Sequence, residues 1–167
     1  MSGHAKSSYQ RIGDLLSQVA NAVGGLLFIT AFVGFIVQIF FRYVIGDPLR
    51  WTEEFTMIAF IWTVFWAAAF VVPIREHVSF DVVYDVVSPQ TQRIFAVFSM
   101  VMVIIAFGIL IPHTIEYLDF LTRRKSPVMR LPMHWIYGCY LLFIAGFALK
   151  AAARLVHLIG PDWRTHI

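Results

Sequence analysis

Charge and cysteine are both scarce in this chain of 167 residues. Charged side chains make up 14% of it, against about 25% in a typical soluble domain. Hydrophobic residues make up 59%, which excludes intrinsic disorder and argues against a soluble globular enzyme. The single cysteine, Cys139, excludes an intramolecular disulfide and any zinc or iron–sulfur site built from cysteines.

The net charge of +3 does not indicate a nucleic-acid partner. The basic residues stand in short segments between apolar runs, which is the usual place of loop charge at a membrane surface. We therefore expect contacts with membrane lipid and none with nucleic acid.

Four long apolar runs dominate the sequence. Each is close to the roughly 20 residues that a helix needs to cross a bilayer, and a lone segment satisfies its backbone in hydrocarbon only as a helix. The runs predict an all-α membrane protein with four transmembrane helices in a bundle, joined by short connectors. The expected spans are about 19–41, 55–74, 94–115 and 131–153, within a domain of residues 19–154 that has polar flanks at 1–18 and 155–167.

The connector after the second span is the longest of the three. Residues 75–93 mix valine and phenylalanine with two aspartates, a composition compatible with a short amphipathic segment at the membrane interface. Between the first two spans, Gly46-Asp47-Pro48 predicts a turn.

All ten carboxylates lie outside the four apolar cores. Ion and proton pathways normally use ionisable groups within the membrane, and transporters with a pathway of their own usually show interrupted helices. The chain is therefore predicted to support another protein rather than to conduct a solute alone. A small-molecule exporter built as a homodimer is an alternative from a different class.

Charged and aromatic residues concentrate where the first span meets the second. Acidic residues in a first helical turn complement the helix dipole, and tryptophan suits the membrane interface. Trp51, Glu53 and Glu54 therefore have an ordinary structural explanation. A second interpretation is that Arg42 pairs with Glu53 or Glu54 and fixes the two helices in register, and a third is contact with a partner.

The second span carries an aromatic stripe and the first carries small residues. Phe55, Trp62 and Trp66 recur at helical spacing, which is typical of a core or lipid-facing surface and also suits a protein–protein face. Small side chains let membrane helices approach closely. In the first span they are Ala20, Gly24, Ala31 and Gly34.

Histidines near the span ends suggest an alternative function. His113 and His134 are expected at one membrane face, and His77 and His157 towards the other. Paired histidines in a four-helix bundle can ligate haem b, so a haem-binding membrane anchor of an electron-transfer complex is the alternative. None lies deep within a span, which favours ordinary interfacial hydrogen bonding. No serine–histidine–aspartate set occurs within a span, so no enzymatic activity is predicted.

Several short motifs gain specificity from their order along the chain. They are Phe41-Arg42-Tyr43-Val44, Pro48-Leu49-Arg50-Trp51-Thr52-Glu53-Glu54, Ile61-Trp62, Arg75-Glu76-His77-Val78-Ser79-Phe80-Asp81, Ser126-Pro127-Val128 and Leu131-Pro132-Met133. Together they resemble the small membrane subunit of tripartite ATP-independent periplasmic (TRAP) transporters, the DctQ-type family.

The resemblance implies a non-catalytic scaffold subunit of a sodium-coupled secondary transporter for organic acids. Its implied partners are a large multi-helix permease subunit, which carries the substrate and sodium sites in this family, and a periplasmic substrate-binding protein. No cofactor and no metal are implied for this chain. The implied location is the bacterial inner membrane with both termini cytoplasmic, a choice that the lysine and arginine distribution alone barely makes.

The resemblance also suggests roles for particular residues. The candidates for partner-interface or structural contacts are Arg42, Trp51, Glu53, Glu54, Phe55, Trp62 and Trp66, with Arg75, Glu76, His77 and Asp81 as an anchor on the cytoplasmic side. The basic residues of the third connector are candidates for docking the binding protein. They are Arg123, Arg124, Lys125 and Arg130.

Overall fold

Helices account for nearly all of the described structure. The computed structural model describes residues 8–73 and 88–160. Within these ranges there is no β-strand, and the one β-type contact is an isolated bridge between Lys125 and Pro132. The helices are α1 (Ser8–Phe40, continued by a π-helical turn Phe41–Ile45), α2 (Arg50–Trp66, continued by a π-helical turn Ala67–Val71), α3 (Pro89–Leu121) and α4 (Met133–Ile159).

Each of the four helices is long and apolar enough to cross a membrane. The qualifying segments are Gly13–Ile45, Arg50–Val71, Gln90–Leu121 and Met133–Ile159. Large apolar side chains such as Leu26 and Phe28 are exposed on the protein surface, as expected when hydrocarbon rather than water is the solvent. The predicted class, an all-α membrane protein with four spanning helices, is confirmed.

The helices extend beyond the apolar runs that predict them. α2 begins at Arg50 rather than near Phe55, and α3 continues past Ile115 to Leu121. The added residues include charged side chains such as Glu53, Glu54 and Glu116, which a search for uncharged runs leaves out. The expected amphipathic segment at 75–93 lies for the most part outside the described residues.

The described residues form two compact units. The first contains residues 8–71 and Ser126–Arg130, and the second contains residues 72–73, 88–125 and 131–160. In the first unit α1 packs on α2, and the turn between them uses Gly46 in the left-handed conformation with φ of 78°. Glycine adopts this conformation without steric cost, which accounts for the predicted Gly46-Asp47-Pro48 turn.

The second unit pairs α3 with α4. A small core of Ala96, Met100, Ala151 and Leu158 lies at one end of the pair. Further along, the Phe107 ring packs edge-on against two rings of α4, with centroid distances of 5.8 Å to Phe143 and 5.3 Å to Phe147. α3 also contains an internal proline, Pro112.

Ser88 and Pro89 mark the start of α3. Ser88 has extended backbone geometry, and its hydroxyl accepts a long hydrogen bond of 3.5 Å from the Thr91 backbone N–H. A serine in this position caps the helix because it satisfies one of the first free N–H groups.

Candidate functional site

The crossing of α1 and α2 is built on small residues of α1. A Cβ atom placed on Gly34 would lie 2.9 Å from the Thr56 hydroxyl oxygen and 3.3 Å from the Phe55 ring. Ala31 in the same stripe is buried. Phe55, a candidate partner-facing residue, is thus partly used inside the chain, where it packs against the backbone of α1.

Trp66 is also used within the first unit. Its indole Nε1 donates a 3.0 Å hydrogen bond to the Ala20 carbonyl oxygen, and Gly24 leaves room for the same ring, 3.5 Å from a Cβ placed there. An indole N–H in hydrocarbon needs an acceptor, and the α1 backbone supplies one. Trp66 thus makes a structural contact within the first unit, which is one of the two roles predicted for it.

Trp51 is the most accessible of the three tryptophans of α2. Trp51 is 47% exposed and lines an apolar groove of about 370 Å³ together with Val33 and Val37 of α1. Its ring also meets Phe55 edge-on at 6.3 Å. Trp62 is half-buried. Of the aromatic candidates, Trp51 presents the largest free surface.

The Glu54 carboxylate joins α2 to the third connector within the first unit. One carboxylate oxygen, Oε2, accepts hydrogen bonds from the backbone N–H groups of Val128 at 2.9 Å and Met129 at 3.2 Å. The hydroxyl of Ser126, which is buried, bonds to the same carboxylate. The start of α2 is thereby tied to the middle of the third connector, which sequence spacing alone did not indicate.

The predicted ion pair of Arg42 with Glu53 or Glu54 is not formed in the described part of the chain. Glu54 binds the third connector instead, and both Arg42 and Glu53 are exposed. Arg42 stands in the π-helical turn that ends α1. That turn is wider than a turn of α-helix.

Backbone hydrogen bonds join the two ends of the third connector, residues 122–132. The Met133 N–H donates to the Arg124 carbonyl at 3.0 Å, and the Arg124 N–H donates to the Leu121 carbonyl at 3.1 Å. The Arg124 guanidinium stands over the Phe120 ring at 4.8 Å, a favourable cation–π distance. All four candidate docking residues are exposed: Arg123, Arg124, Lys125 and Arg130.

Arg93, a basic residue that the sequence analysis did not single out, binds the end of α4. Arg93 of α3 donates from Nε to the Leu158 carbonyl at 2.9 Å and from a terminal nitrogen to the Ile159 carbonyl at 3.2 Å. The last carbonyls of a helix have no intrahelical partner and carry partial negative charge. Arg93 therefore closes the end of α4 from a neighbouring helix.

The remaining polar candidates are the residues that follow α2 and the histidines. Arg75, Glu76, His77 and Asp81 lie outside the described residues. His113 is exposed and stands 3.8 Å from the Glu116 carboxylate, within a helix that continues past it rather than at a helix end as expected. Among the described residues no group of three or more histidine, cysteine or acidic side chains is placed to hold a metal ion.

The described helices and their surfaces define a multi-pass membrane protein of the all-α class. A family model, the DctQ component of tripartite ATP-independent periplasmic transporters, matches residues 31–160. The chain belongs to this family and is a small membrane subunit of a TRAP transporter. No curated protein and no solved structure matches the chain.

Proposed function

We propose that this chain is the non-catalytic scaffold subunit of a sodium-coupled TRAP transporter for organic acids. The observation that carries the proposal is the family match over residues 31–160. It is supported by the apolar cores of the four spans, which contain no carboxylate. Because a solute pathway needs polar or ionisable groups, substrate and sodium would bind in a large permease subunit.

The proposal includes an orientation and two contact surfaces. Both termini would be cytoplasmic in the bacterial inner membrane, which puts the third connector on the periplasmic side. Its exposed cations would then meet the substrate-binding protein. Trp51 and Trp62 are the aromatic residues proposed to contact the large subunit, since Trp66 is engaged by α1.

Co-purification tests the scaffold role directly. The tagged chain is extracted from its native membranes in mild detergent, and the proteins that accompany it are identified. A much larger multi-helix membrane protein in stoichiometric amount is expected. A chain that purifies alone or only with itself would contradict the proposal, and a Soret absorption band in that sample would favour the haem anchor instead.

Reconstituted vesicles test coupling and docking. Vesicles with the chain, its large partner and the binding protein should take up an organic acid only under an inward sodium gradient. Glutamine at positions 123, 124, 125 and 130 should raise the binding-protein concentration needed for half-maximal uptake and weaken its salt dependence, because exposed charges act mainly on association. Arg50→Gln, an exposed cation outside the connector, is the matched control. Unchanged uptake in the fourfold variant would rule out docking by these cations.

A further inference from the structure

The third connector carries four exposed cations, and its middle is held by a carboxylate. Glu54 bonds to backbone N–H groups of Val128 and Met129, which lie between Lys125 and Arg130 in the sequence. Consecutive N–H groups that converge on one anion form a nest. Here the anion belongs to α2 of the same unit. The negative charge of Glu54 therefore holds the connector backbone.

The residue that follows this nest has an unusual conformation. Arg130 has φ of 58° and is the only non-glycine residue with positive φ in the described chain. The left-handed region is sterically unfavourable for a residue with a Cβ atom, and such a conformation persists only where surrounding contacts hold it. The bonds from Glu54 to the two preceding residues supply such contacts. They fix the direction in which the Arg130 side chain leaves the backbone.

We infer that Glu54 is a positioning residue for docking: by holding residues 126–130 it sets where Arg130, the connector cation of the same unit, meets the binding protein. This inference rests on the proposed docking role of the connector. Complementary charges raise the rate and specificity of association only when their arrangement matches that of the partner. A mobile connector would have to be ordered on binding, at a cost in affinity. Loss of the Glu54 bonds should therefore weaken docking although every cation is still present.

The first measurement examines the connector without any binding protein. Hydrogen exchange is followed in the purified membrane complex for the amides of Val128 and Met129. Glu54→Ala should speed their exchange about tenfold or more, because both amides lose a hydrogen bond to a charged acceptor. Glu54→Gln, which keeps a neutral acceptor, should have an intermediate effect. The neighbouring carboxylate Glu53 is exposed, and Glu53→Ala should leave these amides unchanged. Amides that stay protected in Glu54→Ala would overturn the inference.

The second measurement is sodium-driven uptake at increasing concentrations of binding protein. Glu54→Ala should raise the half-saturating concentration about three- to tenfold and leave the maximal rate nearly unchanged, whereas Glu53→Ala should change neither. If Glu54→Ala does not assemble, Glu54→Gln carries the comparison with a smaller expected rise. An unchanged half-saturating concentration in a variant with freed amides would overturn the inference.

The fourfold cation variant separates the two proposals. If removing the cations weakens docking and freeing residues 126–130 does not, the cations dock but Glu54 has no positioning role. If removing the cations has no effect, the docking proposal itself fails. The inference about docking then fails with it, even where the exchange data reproduce the Glu54 bonds.

Discussion

The two helical pairs of this protein pack with different kinds of residues. α1 and α2 approach closely because α1 presents glycine and alanine, and one indole hydrogen bond joins them. α3 and α4 pack instead through large rings, with Phe107 against both Phe143 and Phe147, and one arginine binds the carbonyls at the end of α4. Helices in lipid gain little from apolar burial alone, so close packing and interhelical hydrogen bonds decide their association. Each pair therefore combines close packing with hydrogen bonds between its two helices.

The largest expected loss of stability comes from a substitution at Gly34, where α1 and α2 approach closely. Gly34→Leu should destabilise the protein by about 3 kcal/mol, because its first added carbon already meets Thr56 and Phe55 and overpacking in a tight site is costly. The measurement is the temperature at which the detergent-solubilised complex loses its size-exclusion peak. Gly25→Leu is the matched control, since no atom lies within 4 Å of a Cβ placed there. Equal losses in both variants would mean that glycine content, rather than helix approach, matters.

The second largest loss of stability is expected when Arg93, which binds the last carbonyls of α4, is replaced. Arg93→Ala removes two hydrogen bonds to the Leu158 and Ile159 carbonyls and should cost about 2 kcal/mol. Arg93→Lys should recover part of this loss, because an ammonium donates to one carbonyl but does not reproduce the fork. Hydrogen exchange at the end of α4 should rise in the alanine variant. If Arg123→Ala, at an exposed cation, has the same effect, the carbonyl contact is not the cause.

The smallest expected effect comes from Trp66→Phe, which removes one hydrogen bond and replaces the indole by a smaller ring. The lost hydrogen bond should cost about 1 kcal/mol, the usual net value of a neutral one, beyond the effect of the smaller ring. Trp62→Phe makes the same chemical change in a half-buried ring of the same helix. It should have a smaller effect on the thermal transition. A larger effect at Trp62 would show that the Ala20 contact adds little.

The sequence predicted those features that depend on local pattern. Four apolar runs predicted the spanning helices, Gly46 marked the turn, and the small residues of α1 indicated close packing. The contacts of Glu54 and Arg93 were not predictable in this way, because their partners lie 74 and 65 residues away along the chain. Arg42 shows the complementary error. A plausible local ion pair was expected, but the carboxylate of Glu54 is bound by backbone donors from a distant segment.

Tryptophan illustrates why residue type alone does not identify an interface. Trp51, Trp62 and Trp66 were equivalent candidates in the sequence. The structure separates them by what each indole meets: an open groove for Trp51, a half-buried position for Trp62 and the α1 backbone for Trp66. Helical spacing gives the side of α2 on which a ring lies, but the neighbour on that side comes from the tertiary structure.

Pro112 gives α3 a mechanical property. Proline has no backbone N–H, so the carbonyl of Gly108, one turn earlier, lacks its usual intrahelical donor, and Gly108 has no side chain to cover it. Nearby, the Thr114 hydroxyl donates to the Leu110 carbonyl at 2.8 Å, so a carbonyl of the same turn accepts a bond from a side chain. Bending the helix here breaks one main-chain bond fewer than bending it elsewhere. α3 is therefore most compliant just before the stretch that leads into the basic connector, and a force applied to that connector is absorbed there first.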